Sequence, residues 1–120
     1  MRNNLPLGKY GEELAVKYLK SKGYKTIEQN FRSRVGEIDI IALSGSTLVF
    51  VEVKTRSSEK YGPPEEAIGP WKIKSITRTA QFYKMLHPKL PDSLRIDAVL
   101  VELSPTGVVK RLEHLENISG

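Results

Sequence analysis

Three residues near the middle of the chain have the types and the spacing to do chemistry together: Asp39, Glu52 and Lys54. They fall in two segments, residues 36–43 and 47–55, that are rich in β-branched and aromatic residues and read as strands. Ser44-Gly45-Ser46-Thr47 joins them. A two-residue Gly45-Ser46 loop puts glycine where a type II′ turn needs positive φ. With Ser44 opposite Thr47, Asp39 falls opposite Glu52, and Glu37 opposite Lys54. Directly opposed side chains share a face, with Cβ atoms about 5 Å apart. All four charged groups are therefore expected on one side of the hairpin, with Ile41 and Phe50 continuing that face as an apolar floor.

Two carboxylates this close repel each other. One remedy is a raised pKa for one of them. Another is a divalent cation, and hard ions such as Mg²⁺ take oxygen ligands. Lys54 points to the same face as Glu52 by strand alternation. There it could hold or activate a water, or neutralise a phosphate. The competing reading is a surface face with two cross-strand ion pairs. Against it, the strands are too apolar for a solvated face, a helix should cover the charges, and buried charges need partners or metals.

Glu12 is a further candidate. At about 100° per helical residue it stands in line with Ala15 and Leu19, so it could look onto the sheet and join Asp39 and Glu52. Equally, it could simply complement the helix dipole from the first turn.

The elements that must position these groups are legible in outline. Residues 8–22 read as a helix with Leu14, Ala15, Tyr18 and Leu19 on one face and Gly23 as its stop. Residues 25–32 make a short strand before the hairpin. Residues 56–64 are polar, with Tyr61-Gly62-Pro63-Pro64 as breakers, and are expected to form a mobile loop. A second helix covers residues 71–86, with an earlier turn conceivable from Glu65. Pro70 suits its start, and Ile73, Ile76, Ala80 and Tyr83 form its apolar stripe. Residues 94–103 and 108–114 read as strands, the second at an edge. The order αβββαββ has a strand-helix-strand crossover, which implies a parallel pair. The fold class is therefore α/β, a mixed central sheet flanked by helices.

Composition bounds the rest. A chain of 120 residues is one domain. It has no cysteine, which removes disulfides, thiolate catalysis and Cys-ligated zinc. No apolar run is long enough to span a membrane, and the first eight residues lack the apolar core of a signal peptide, so a cytoplasmic protein is expected. Lys and Arg number 19 against 14 Asp and Glu, a net charge of +5. Between positions 67 and 91 stand Lys72, Lys74, Arg78, Lys84 and Lys89 with no acid among them. That segment is either a solvated helix face or a surface for phosphates. Trp71 reads as a packing residue, Arg95 and Asp97 as a structural ion pair on one strand face, and His87 and His114 as neither ligand nor base.

The motifs Gly11-Glu12 opening a helix, Asn30-Phe31-Arg32, Gly36-Glu37-Ile38-Asp39 and Phe50-Val51-Glu52-Val53-Lys54-Thr55-Arg56 together resemble the bacterial YraN family. The likeness continues through Gly62, Lys72 and Arg95-Ile96-Asp97. That family looks related to the restriction-endonuclease-like superfamily, which includes archaeal Holliday-junction resolvases. The superfamily signature is an acid, a spacer, then Asp/Glu-x-Lys, matched here by Asp39 and Glu52-Val53-Lys54. A proline often precedes the first acid, and here that place is Ile38.

The resemblance implies a restriction-endonuclease-like fold and a metal-dependent endonuclease acting on DNA, with branched or flapped structures as candidate substrates. It implies Mg²⁺ or Mn²⁺ between Asp39, Glu52 and the Val53 carbonyl, with Glu12 close by and Lys54 orienting the attacking water. Arg32, Arg56, Lys72, Lys74 and Arg78 are the expected nucleic-acid contacts. Junction resolution needs two coordinated cuts, which favours a symmetric homodimer. A nucleic-acid-binding module that keeps the fold without useful turnover, and a non-enzymatic interaction protein, remain the alternatives.

Overall fold

The computed structural model describes residues 6–57 and 68–120. The elements run α1 (Leu7–Ser21), β1 (Lys25–Arg32), β2 (Glu37–Ser44), β3 (Thr47–Arg56), α2 (Pro70–Leu86), β4 (Ser93–Leu103) and β5 (Val109–Leu115). This is the expected order, with boundaries moved by a residue or so. Arg56 belongs to β3 rather than to a loop. Ser57 is an exposed bend, and residues 58–64 of the expected mobile segment, Tyr61 included, and the early turn from Glu65 lie outside the described residues.

Helix α1 buries Gly11, Ala15 and Leu19, one residue per turn. It ends in a Schellman motif: Tyr24 N–H donates to the Leu19 carbonyl and Gly23 N–H to that of Lys20, both at 3.0 Å, with Gly23 at φ +89°. Helix α2 starts on Pro70, whose missing N–H costs nothing at that position. It buries Ile76, Thr79, Ala80 and Tyr83.

The strands form one sheet in the order β1-β2-β3-β4-β5. β3 and β4 are parallel, joined by α2 as the crossover, and the other three pairs are antiparallel. Alternation along the strands divides the core between two faces. Ile40, Ala42, Val49, Val51, Val99 and Val101 pack with Ala15 and Leu19 of α1. Ile41, Leu48, Phe50 and Ile96 pack with Ile76, Ala80 and Tyr83 of α2. Each large side chain buried this way contributes about 2 kcal/mol. The result is the mixed sheet between helices that the resemblance implies.

Two glycines set how closely the helices approach. A Cβ on Gly11 would stand 1.9 Å from Thr55 Oγ1, so α1 can cross β3 at this depth only with glycine there. A Cβ on Gly36 would stand 2.3 Å from Thr79 Oγ1 of α2. Both glycines lie next to acids of interest, Glu12 and Glu37, and both bring a helix down onto the strands beside them.

Candidate metal and nucleic-acid site

The hairpin has the register its turn dictates. Ser44 pairs with Thr47, Ile41 with Phe50 and Ile40 with Val51. Gly45 takes φ +58° and Ser46 stays out of the left-handed region, as a type II′ turn requires. The β2–β3 ladder ends at Ile40 and Val51, while β3 continues beside β4 to Arg56. β2 instead keeps its pairing with β1, placing Ile38 opposite Phe31 and Glu37 opposite Arg32. Ile38 and Ile41 reach the same core cluster although strict alternation would separate them, so β2 twists through Asp39.

Asp39 fills the gap that opens between the strands. Its Oδ2 accepts the Val53 N–H at 2.8 Å, where a neighbouring strand carbonyl would otherwise stand. Glu52 is buried, 9% exposed, and the Lys72 Nζ of α2 lies 3.5 Å from its Oε2. Burial, and then the charge of Asp39, push the Glu52 carboxyl up to about 7, and Lys72 offsets only part of this. Asp39 and Glu52 thus come close enough to interact, although they lie one residue beyond the last ladder pair instead of within it.

Glu12 approaches from the α1 side. Burial and then Asp39 push its carboxyl above the ordinary range, while Lys9 at 3.9 Å and a hydrogen bond from Asn30 pull the other way. Asn30 holds the left-handed conformation, φ +54°, at this end of β1. Asp39 is therefore the common neighbour of Glu12 and Glu52. An open cavity of about 400 Å³ is lined by Lys9, Glu12, Asn30, Arg32 and Asp39, among others. Among the described residues, no three carboxylate or imidazole groups close into a ready-made metal cage.

The expected Glu37–Lys54 pair does not form. Glu37 is exposed and meets Arg32 Nε at 3.1 Å, because β2 follows β1 rather than β3 beyond Asp39. Lys54 is half-buried, two residues beyond Glu52 on β3. Of the other cationic candidates, Arg56 has a buried Nε with no hydrogen-bond partner among the described residues. Lys74 and Arg78 are exposed on α2. Trp71, expected to pack, is 89% exposed.

The Lys72–Glu52 contact is absent from the expectations, although topology contains it. A crossover helix returns antiparallel to the strand it follows, so its first turn lies near the end of β3 that carries Glu52. The role of His114 was less accessible. Asp97 is 0% exposed and accepts from Arg95 Nε at 2.9 Å, from an Arg95 terminal nitrogen at 3.0 Å and from the Asn117 N–H at 3.0 Å. His114 Nε2 stands 2.8 Å from Asp97 Oδ2, the oxygen that also accepts from the Arg95 terminal nitrogen, and Arg95 donates to the Tyr24 hydroxyl at 2.6 Å. Burial alone would raise Asp97, but these hydrogen bonds hold its carboxyl below the ordinary range. The expected ion pair of Arg95 and Asp97 is thus the centre of a network tying the α1–β1 connection, β4 and β5 together.

Comparison with known proteins gives a consistent picture. The model of the uncharacterised protein family UPF0102 matches residues 11–101, which include Glu12, Glu37, Asp39, Glu52 and Asp97. A UPF0102 protein of Syntrophus aciditrophicus is 51% identical over 109 residues, covering 89% of this chain and 84% of that protein. One from Persephonella marina is 47% identical over 110 residues, covering 92% and 90%. One from Alkaliphilus oremlandii is 45% identical over 116 residues, covering 95% and 97%.

Proposed function

The chain belongs to the UPF0102 family, the YraN family of the resemblance, and on that premise we propose that it is a metal-dependent endonuclease acting on DNA. The observation that carries the reading is the approach of half-buried Asp39 to buried Glu52 in the gap between β2 and β3, with Glu52 pushed up to about 7. Two acids held together in a basic protein repel both each other and a phosphate. A surface built only to bind polyanions has no use for them.

The donors fit a hard cation. Asp39 and Glu52 supply carboxylate oxygens, and the Val53 carbonyl leaves its strand on the same side as the N–H bonded to Asp39. Glu12 would be an auxiliary ligand through its proximity to Asp39. Bound Mg²⁺ or Mn²⁺ would supply an activated water and stabilise charge on a phosphodiester oxygen. Lys54 orients that water through its ammonium group. Lys72, which partly neutralises Glu52 in the metal-free protein, is released to a substrate phosphate. Arg32, Arg56, Lys74 and Arg78 hold the backbone without reading bases. Branched or flapped DNA is the proposed substrate class, in the bacterial cytoplasm, with a homodimer if two strands are cut together.

A second reading is a nucleic-acid-binding module without turnover. The exposed cations Lys74 and Arg78 on α2, which can hold phosphate without any metal, favour it. Cleavage assays on duplex, single-stranded and branched DNA separate the two readings. The nuclease reading expects Mg²⁺- or Mn²⁺-dependent products that vanish with chelator and in Asp39→Asn and Glu52→Gln. Binding to branched DNA with no product in either metal would select the second reading.

A further inference from the structure

We propose that the solvent face of α2 is a single-strand platform, with an unpaired base stacked on Trp71 and its backbone held by Lys74 and Arg78. The inference rests on the nucleic-acid reading above and names the form of substrate that the site takes.

Trp71 is the chain's only tryptophan. At 89% exposure it contributes almost nothing to the core. An indole left in water forgoes about 2 kcal/mol that burial would return. Its place in the helix is well defined, because Pro70 fixes the first turn and the Ile73 N–H bonds to the Gly69 carbonyl at 3.1 Å. Lys74 and Arg78 follow at i+3 and i+7, which places all three on one stripe of the helix. All three are exposed, while Ile76, Thr79, Ala80 and Tyr83 take the buried face. From Trp71 to Arg78 the helix rises about 10 Å, enough to span a base and its flanking phosphates.

Charge selects the occupant. No acid stands between positions 67 and 91, so the stripe repels basic partners and suits a polyanion. A flat aromatic beside two cations is how proteins hold single strands: the base stacks, the phosphates pair, and sequence matters little. In a duplex the bases are already stacked and cannot reach the indole. Lys72 links the stripe to the acids, since its Nζ lies 3.5 Å from Glu52. A strand whose base rests on Trp71 therefore has its next phosphates beside the Asp39–Glu52 gap, and an unpaired segment next to a branch point supplies such a base.

The test uses the tryptophan as its own probe, in chelator so that neither metal nor cleavage enters. The protein is titrated with a short oligothymidylate and with a blunt duplex of equal length, following Trp71 emission and, with labelled DNA, anisotropy. We expect single-strand binding to quench the emission, and duplex binding to leave it nearly unchanged. Trp71→Ala should weaken single-strand binding roughly 5- to 100-fold, in line with the stacking contribution of one base. Trp71→Phe should restore most of it, and duplex affinity should change less than about twofold. Circular dichroism of Trp71→Ala should match wild type, since the side chain is 89% exposed.

Single-strand binding without an emission change would overturn the proposal. So would equal losses for both DNA forms in Trp71→Ala, or no single-strand binding at low salt. An emission shift driven by protein concentration alone would assign the face to a second copy. One produced only by anionic vesicles would assign it to a membrane surface. Either result overturns the platform. Metal-dependent cleavage of single-stranded or branched DNA that Trp71→Ala leaves intact would remove the platform and keep the nuclease reading.

Discussion

Replacing Glu52 with glutamine should stabilise the metal-free protein, although it removes a buried ion pair with Lys72. Glu52 is 9% exposed and its carboxyl is pushed up from 4.5 to about 7, first by burial and then by Asp39. A raised folded-state pKa contributes stability that is fully present below 4.5 and is lost as pH rises through about 7. At about 1.4 kcal/mol per pH unit, the ionised carboxylate costs the metal-free fold about 3 kcal/mol at pH 8. Glutamine keeps the shape and carries no charge to desolvate. Lys72, half-exposed, turns to water at little cost. Thermal unfolding in chelator should therefore show Glu52→Gln melting about 10 °C above wild type at pH 8, with the two curves meeting near pH 4.5. Added Mg²⁺ should close the gap by stabilising wild type alone, by about 2.7 kcal/mol at a hundredfold excess over Kd. If Glu52→Gln melted at or below wild type at pH 8 in chelator, the repulsion between Asp39 and Glu52 would not exist as described.

The other acids and the packing glycine give sharper structural tests. Asp39→Asn keeps an acceptor for the Val53 N–H and removes a charge, so Glu52 should titrate closer to 4.5 by NMR. Binding of Asp39→Asn to DNA in chelator should tighten while still falling steeply with salt between about 50 and 200 mM; salt-independent binding would contradict phosphate contacts. Gly11→Ala puts a Cβ 1.9 Å from Thr55 Oγ1 and should lower stability by about 1–3 kcal/mol in urea titrations, with partial recovery in the Gly11→Ala, Thr55→Ala double variant. Asp97→Asn should cost about 3–5 kcal/mol near neutral pH by leaving Arg95 short of its partner. Asp97 is held low, so that advantage is lost as pH falls through its folded-state value, below 3.8, and the two proteins should then converge.

Much of this was legible in the sequence because local rules fix it. Gly45-Ser46 sets the hairpin turn, the turn sets the register as far as Ile40 and Val51, and Asp39 and Glu52 are the next residues beyond that last pair. The 3.6-residue stripe of Ile76, Ala80 and Tyr83 marks the buried face of α2, and the β-α-β order marks the parallel pair. The Glu37–Lys54 pair failed because an unbroken antiparallel ladder was assumed. Whether two strands diverge depends on what lies on their other edges, here β1 against β2 and β4 against β3. Lys72 at Glu52 and His114 at Asp97 are contacts across elements, set by helix depth and strand stagger that no local pattern encodes. Trp71 was misjudged because composition favours burying tryptophan, while its position on the helix puts it on the cationic stripe.

Asp39 and Glu52 are proposed to hold a divalent cation between them. Mn²⁺ titration followed by electron paramagnetic resonance counts bound ions directly and needs no substrate. Wild-type protein should bind Mn²⁺ saturably, with Mg²⁺ competing for the same site. Asp39→Asn and Glu52→Gln should each abolish that binding, Glu12→Gln should weaken it, and Lys54→Ala should leave it intact, because a lysine ammonium is no ligand. Saturable binding that survives unchanged in both Asp39→Asn and Glu52→Gln, or no binding in wild type near neutral pH, would contradict the claim.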